Sequence, residues 1–166
     1  MQIKFIVNEP TSKKVNDCII TMTELVLPHH TNQLGNLLGG QLMHWIDICA
    51  ALSASKHSKR VCVTASVDRI DFLHPILLGD VVTLTASVNR AFNTSMEVGV
   101  KVYSENHTVG NKIHTNSAYL TFVSVDENKK PVQTFEIIPE TNEQKRRYKE
   151  ALQRRQSRLQ SRKRDS

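Results

Sequence analysis

The sequence predicts an α+β domain in which an antiparallel sheet curls round one long helix. Three observations lead there. Residues 40–57 hold a helical stretch whose apolar side chains surround nearly the whole axis, the mark of a helix buried on all sides. Most of the remaining hydrophobic residues lie in segments that alternate apolar and polar, with no helix between the last four, so neighbouring strands run antiparallel. Nothing else in the chain can bury the helix, so the sheet must cover it.

Residues 20–27 (ITMTELVL) read as a first strand ended by Pro28. A polar, glycine-containing loop, His29 to Gly40, leads into the helix, which carries Leu42, Met43, Trp45, Ile46, Ile48, Cys49 and Leu52. Small residues fill its second half, so something packs closely there. Residues 61–67 alternate as Val61, Val63, Ala65 and Val67, and the parity changes at Ile70 and Phe72, as at a bulge or bend. Pro75 and Gly79-Asp80 mark a turn. Segments 81–89, 95–103 and 112–125 alternate in the same way, the last two joined by a hairpin through Asn106 and Gly110-Asn111. Residues 139–164 form a second helix candidate, highly charged and expected to be solvated or frayed.

The 166-residue chain suits one domain of 1–142 followed by a basic helix or tail, 143–166. The net charge of +6 is uneven: residues 1–142 hold 12 Lys+Arg against 13 Asp+Glu, and 143–166 hold 10 against 3. The basic excess is thus confined to the tail, whereas a nucleic-acid-binding domain carries it on the folded core. Neither nucleic acid nor membrane is an expected partner: no run approaches the ~18 apolar residues of a span. The first ten residues lack the long apolar centre of a secretory signal. Cys18, Cys49 and Cys62 show no CxxC spacing and suit free thiols in a reducing compartment, the cytoplasm by default.

Asp47 is the most informative residue, a carboxylate in mid-helix among Trp45, Ile46, Ile48 and Cys49. Burying it is unfavourable unless it is hydrogen-bonded or has a chemical task; satisfaction by a backbone amide or by His44 is the bland account. Gly39 and Gly40 open the helix, where unpaired N–H groups at the positive end of its dipole suit a developing oxyanion, or simply a glycine turn. Asn32, in the preceding loop, gains weight only beside these. His29, His30, His44 and Asp47 lack any strict metal-ligand spacing, so no metal is expected. Cys49 and Cys62 lie in apolar runs that suit inert thiols better than nucleophiles.

The stretch LPHHTNQLGNLLGGQLMHWIDICAALSASKH resembles the signature of single-domain hotdog-fold acyl-CoA thioesterases, P-x-D-T-N-x-x-G-x-x-F-G-G-x-L-M-x-W-M-D-x-x-A-A. RVCVTASVDRIDFLHPILLGDVV and NRAFNTSMEVGVKVY resemble that family's following segments, so the likeness runs from about residue 23 to 126. His30 and Leu38 stand where the family often has Asp and Phe, and Ala91-Phe92-Asn93 replaces a segment that usually contains Gly-Arg. The resemblance implies a hotdog fold and hydrolysis of acyl-CoA to free fatty acid and coenzyme A, with Asp47 as general base or nucleophile and Asn32 as its partner. Gly39 and Gly40 would bind the oxyanion, without metal or other cofactor. Lys56, Lys59, Arg60 and Arg90, with Thr94 and Ser95, are candidates for binding the coenzyme. The family's dimers of hotdogs, commonly assembled to hexamers, imply a homo-oligomer. The alternative is a regulatory acyl-CoA- or nucleotide-binding hotdog domain that has lost the base; the presence of Asp47 and Asn32 speaks against it.

Overall fold

The computed structural model describes residues 11–68, 70–72 and 74–164, with side chains through 161. The readings made above for residues 1–10 and for the last two residues lie outside that range.

Helix α1 (Gly39–Ser58) buries Leu42, Trp45, Ile46, Cys49, Ala50, Ser53, Ala54 and His57, spaced three or four apart along one face. It ends at Lys59, whose left-handed backbone (φ 55°) returns its N–H to the Ser55 carbonyl at 2.8 Å. Lys13 Nζ donates to the last-turn carbonyls of Lys56 and His57 at 3.0 and 2.6 Å.

Five strands wrap the helix: β2 (Ile20–Leu25), β3 (Val61–Val67), β4 (Val81–Ala91), β5 (Ser95–Asn106) and β6 (Asn111–Val125). Their order is β2-β4-β5-β6-β3, all antiparallel. A short parallel pair, β1 (Ser12–Lys14) with β7 (Glu136–Ile138), closes one end. The inner face presents Val82, Leu84, Ala86 and Val88 from β4, Met96, Val98, Val100 and Val102 from β5, and Leu120 and Phe122 from β6, all buried. Each large side chain enclosed there contributes about 1.5–3 kcal/mol. The small residues of α1 serve the close packing expected of them: Ala50 and Ala54 are fully buried and Ser53 Oγ bonds the Cys18 carbonyl at 2.7 Å. This is the hotdog arrangement.

Three expectations change. First, α1 is not enclosed all round: Ile48 and Leu52 remain 37% and 49% exposed. Second, alternation marks Val61 and Val63 as sharing a face, and in the fold that face is open: Val61 is 69% and Val63 47% exposed, on β3, a strand that ends the sheet among the described residues. Its register shifts between Thr64 and Ser66, earlier than the parity change in the sequence. Third, α2 (Asn142–Arg164) is docked, not frayed. It lies on the outer face of the sheet, with Ala151 fully buried. Arg154 grips the wholly buried Glu97 through Nε and Nη2, the shortest bond 2.7 Å, and its guanidinium lies 3.7 Å over the Tyr119 ring. Arg158 Nη1 meets both Asp68 oxygens at 2.9 and 2.8 Å. Sequence pattern alone misses this because the docking is ionic and aromatic, so it leaves little apolar period.

Asn89 completes the Glu97 cluster, donating from Nδ2 to Oε1 at 3.1 Å. The space it occupies exists because residue 99 is glycine: a Cβ there would fall 2.7 Å from that Nδ2.

Candidate active site

Asp47 lies on the outward side of α1 and is half-buried. Its Oδ1 accepts a 2.8 Å hydrogen bond from the Thr64 hydroxyl on β3. The bond fixes the carboxylate against the edge strand, and Ile48 and Leu52 of the same helix are exposed. Thr64 is the residue that sequence reasoning missed. It stands on the polar parity of β3 with Cys62 and Ser66, and alternation does not single out one of the three.

The loop before α1 is built round Asn32. Its Oδ1 accepts the N–H groups of Leu34 and Asn36 at 2.9 and 3.2 Å, and its backbone N–H bonds the Asn36 carbonyl at 2.9 Å. That folds residues 32–36 into a tight turn and leaves the Asn32 Nδ2 donors without a partner among the described residues. The helix begins without a side-chain cap, and Leu42 N–H is the first to bond back, to Leu38 at 3.0 Å. The N–H groups of Gly39, Gly40 and Gln41 therefore point out of the helix start. A cleft of about 390 Å³ opens beside them, bordered by Asn32, Gly39, Leu42, Phe72 and Ile76. The Phe72 ring lies over Gly39, 3.6 Å from where a Cβ would stand. The polar donors and an apolar wall thus meet in one place, but Asp47 does not line that cleft.

The other candidates are spread out. Lys59 and Arg60 border a surface cleft of about 600 Å³ with Asp126 and Glu127. Lys56 Nζ donates to the Ile19 carbonyl at 3.3 Å. Arg90 is taken up by α2: its guanidinium lies 4.1 Å from the Tyr148 ring and Nη1 donates to the Tyr148 carbonyl at 3.3 Å. Thr94 and Ser95 open on a cavity beneath α2. Burial pushes the Cys49 thiol up to about 11 and raises that of Cys62, so both stay protonated near neutral pH and are poor nucleophiles. His29, His30 and Trp45 form an edge-to-face ring stack. Among the described residues no three His, Cys, Asp or Glu side chains are placed to share a metal, and no helix is long and apolar enough to cross a membrane.

The thioesterase superfamily pattern matches residues 34–111. The chain is 46% identical over 144 residues to mouse acyl-coenzyme A thioesterase 11, a match covering 87% of this chain and 24% of that longer protein. It is 40% identical over 145 residues to the Bacillus subtilis protein YkhA, described as an uncharacterized acyl-CoA thioester hydrolase, covering 87% and 84% of the two chains. Among solved structures, an apo-hexameric acyl-CoA thioesterase superposes with a TM-score of 0.88 at 40% identity, covering 90% of this chain and 96% of that one. The Staphylococcus aureus acyl-CoA hydrolase in complex with butyryl coenzyme A, coenzyme A and coenzyme A disulfide does so at 0.85 and 33% identity, covering 93% and 96%. Forms of that hydrolase with an asparagine, an aspartate or a threonine changed to alanine have also been solved. In its chain the three are spaced as Asn32, Asp47 and Thr64 are here.

Proposed function

The chain belongs to the acyl-CoA thioester hydrolases of the thioesterase superfamily, and from that premise we propose that it hydrolyses acyl-CoA to a carboxylic acid and coenzyme A at a site completed by two protomers. The observation that carries this reading is the Thr64–Asp47 bond. It joins the helix carboxylate to an edge strand whose valines are exposed, while the Asn32 and Gly39 donors line a separate cleft. Pairing the β3 edges of two chains would cover Val61, Val63, Ile48 and Leu52 and bring the Asp47–Thr64 pair of one chain to the cleft of the other.

In that site the thioester carbonyl oxygen would lie against the N–H groups at the start of α1, and its acyl chain against Leu42, Phe72 and Ile76. Asn32 Nδ2 would orient the carbonyl. Asp47, held by Thr64, takes a proton from water as the water oxygen attacks the acyl carbon. Collapse of the tetrahedral intermediate breaks the C–S bond, and Asp47 returns the proton to the departing thiolate. The oxyanion is stabilised by backbone amides that need no reorganisation as charge develops. A hexamer of three such dimers is the assembly proposed, and the cytoplasm the proposed location.

A single turnover in ¹⁸O-labelled water tests the general-base step. Label should enter the released acid and not the Asp47 carboxylate; label in Asp47 would instead indicate an anhydride formed by direct attack. A panel of acyl-CoA thioesters from acetyl to palmitoyl, read by released thiol, tests the activity itself.

A further inference from the structure

Asp80, immediately before β4, is a buried carboxylate, 6% exposed, that the mechanism does not use. Its oxygens accept three hydrogen bonds, all from neutral donors. Oδ2 takes the Leu77 N–H at 2.9 Å and the Ser104 hydroxyl at 3.0 Å, and Oδ1 takes Asn106 Nδ2 at 3.3 Å. A carboxylate is costly to bury unless its oxygens are bonded in this way. Ser104 and Asn106 belong to the end of β5, so the carboxylate fastens the turn 77–80 to the sheet. The Asp80 N–H bonds the Leu77 carbonyl at 3.0 Å, so both polar groups of Leu77 are held by one residue.

That turn is the support on which the Asn32 loop rests. No residue between Leu27 and Gln41 is buried, so the loop has no core anchor of its own and hydrogen bonds set its place. Leu37 N–H bonds the Ile76 carbonyl at 2.7 Å and Leu78 N–H bonds the Gly35 carbonyl at 2.9 Å, with Asn36 and Leu77 paired between them. Asn36 in turn holds Asn32 twice: its N–H donates to Asn32 Oδ1 at 3.2 Å and its carbonyl accepts the Asn32 N–H at 2.9 Å. Asn36, Leu37 and Ile76 border the same cleft as Asn32 and Gly39. A continuous path of bonds thus runs from β5 through Asp80, Leu77 and Asn36 to Asn32.

We propose that Asp80 is a positioning residue for the hydrolysis: by fixing the turn 77–80 to β5 it sets the short ladder that holds Asn32 at the cleft. The assignment rests on the acyl-CoA hydrolase reading, in which Asn32 orients the thioester carbonyl.

Exchanging the side chains of positions 80 and 106 tests it. In Asp80→Asn the new amide must turn its NH2 toward a donor in either orientation, to Leu77 N–H or to Asn106 Nδ2. Asn106 cannot flip to relieve this, because its Oδ1 accepts the Thr108 N–H and hydroxyl at 3.1 and 2.6 Å. Asn106→Asp alone sets two carboxylates together. The double variant restores every bond, the amide at 80 donating to the carboxylate at 106. Per folded protein, each single variant should lose roughly ten- to a hundredfold in kcat, the scale of a misplaced reacting group, with KM little changed. The double variant should recover most of that loss, and Asp80→Asn should cost little more in an Asn32→Ala background. Arg154→Ala, which breaks a buried ion pair far from the loop, should lower the melting midpoint and leave kcat per folded protein unchanged.

Normal kcat in the folded fraction of Asp80→Asn, recovery of the melting midpoint without kcat in the double variant, recovery of neither, or a full further loss in Asn32→Ala would each overturn the assignment. Hydrogen exchange of the same proteins needs no turnover. Asp80→Asn should speed exchange in segments 34–38 and 77–80 by more than in 97–102 of β5; equal acceleration would also overturn it. A protein with that local loosening but no hydrolysis of acyl-CoA keeps Asp80 as the anchor of the loop and loses the hydrolase reading. Hydrolysis that Asp80→Asn leaves unchanged does the reverse.

Discussion

At the scale of single residues, Asp47 and Thr64 are joined by a hydrogen bond, and the proposed mechanism uses them as a pair. Asp47→Ala should lower kcat about 100-fold or more, the scale of a lost positioned base, and Thr64→Val should lower it less, since the carboxylate remains but is no longer held. Turnover normalised to the folded fraction checks both; near-wild-type kcat in Asp47→Ala would remove it from the mechanism. His57 carries a different prediction. It is fully buried, with Nε2 2.8 Å from the Phe135 carbonyl, and burial holds its pKa below the ordinary 6.5. The unfolded chain therefore takes up a proton that the folded chain resists. Stability should fall as pH drops below about 6.5 and level off once the folded value is passed. His57→Gln keeps a donor for Phe135 and should flatten this acid limb, read as melting midpoints from about pH 7.5 to about pH 5. Asp47 was legible in the sequence because a charge in an apolar helix is conspicuous. Thr64 was not, because a threonine on a strand is ordinary until its partner is known.

At the scale of elements, α1 and the strands around it were legible from periodicity, and the docking of α2 was not. A wholly buried glutamate on the outer face of a sheet, neutralised from a helix 57 positions further along the chain, leaves no local signal. That docking is testable. Arg154→Ala strands the Glu97 carboxylate under α2 and should destabilise the fold by on the order of 3 kcal/mol. Adding Glu97→Gln should recover much of the loss, because the buried charge is then gone. Denaturant midpoints of the two variants measure the difference; equal midpoints would mean that the ion pair is not what holds α2. The outward parity of β3 was not legible for a related reason. Alternation tells which residues share a face, and only the position of the strand in the sheet tells what covers that face.

At the scale of the whole molecule, the Asp47–Thr64 pair stands apart from the cleft of Asn32 and Gly39 within one chain, and the proposed site needs them together. If they meet across the β3 edges, Asn32→Ala and Asp47→Ala protomers should complement each other. Refolded together, they should regain about a quarter of wild-type turnover, the share of intact sites expected when dimers form at random. No recovery beyond the two separate variants, with mixed dimers shown to form, would place both residues in one protomer's site. Val63→Lys sets a charge on the exposed edge and should yield a smaller species in sedimentation, inactive because the site is no longer completed.

The missing side chain of Gly99 has a consequence for how this sequence can drift. A methyl group there would displace Asn89, and Asn89 is a partner of Glu97 beneath α2. A change on one strand is thus transmitted to a charge cluster shared by two strands and a helix. Position 99 is therefore coupled first to position 89: the Asn89 side chain must shrink or shift before 99 can gain a side chain. Glu97 then loses one of its donors and, among the described residues, takes its hydrogen bonds from Arg154 alone, so a lineage that keeps the buried carboxylate with Asn89 beside it is held to glycine.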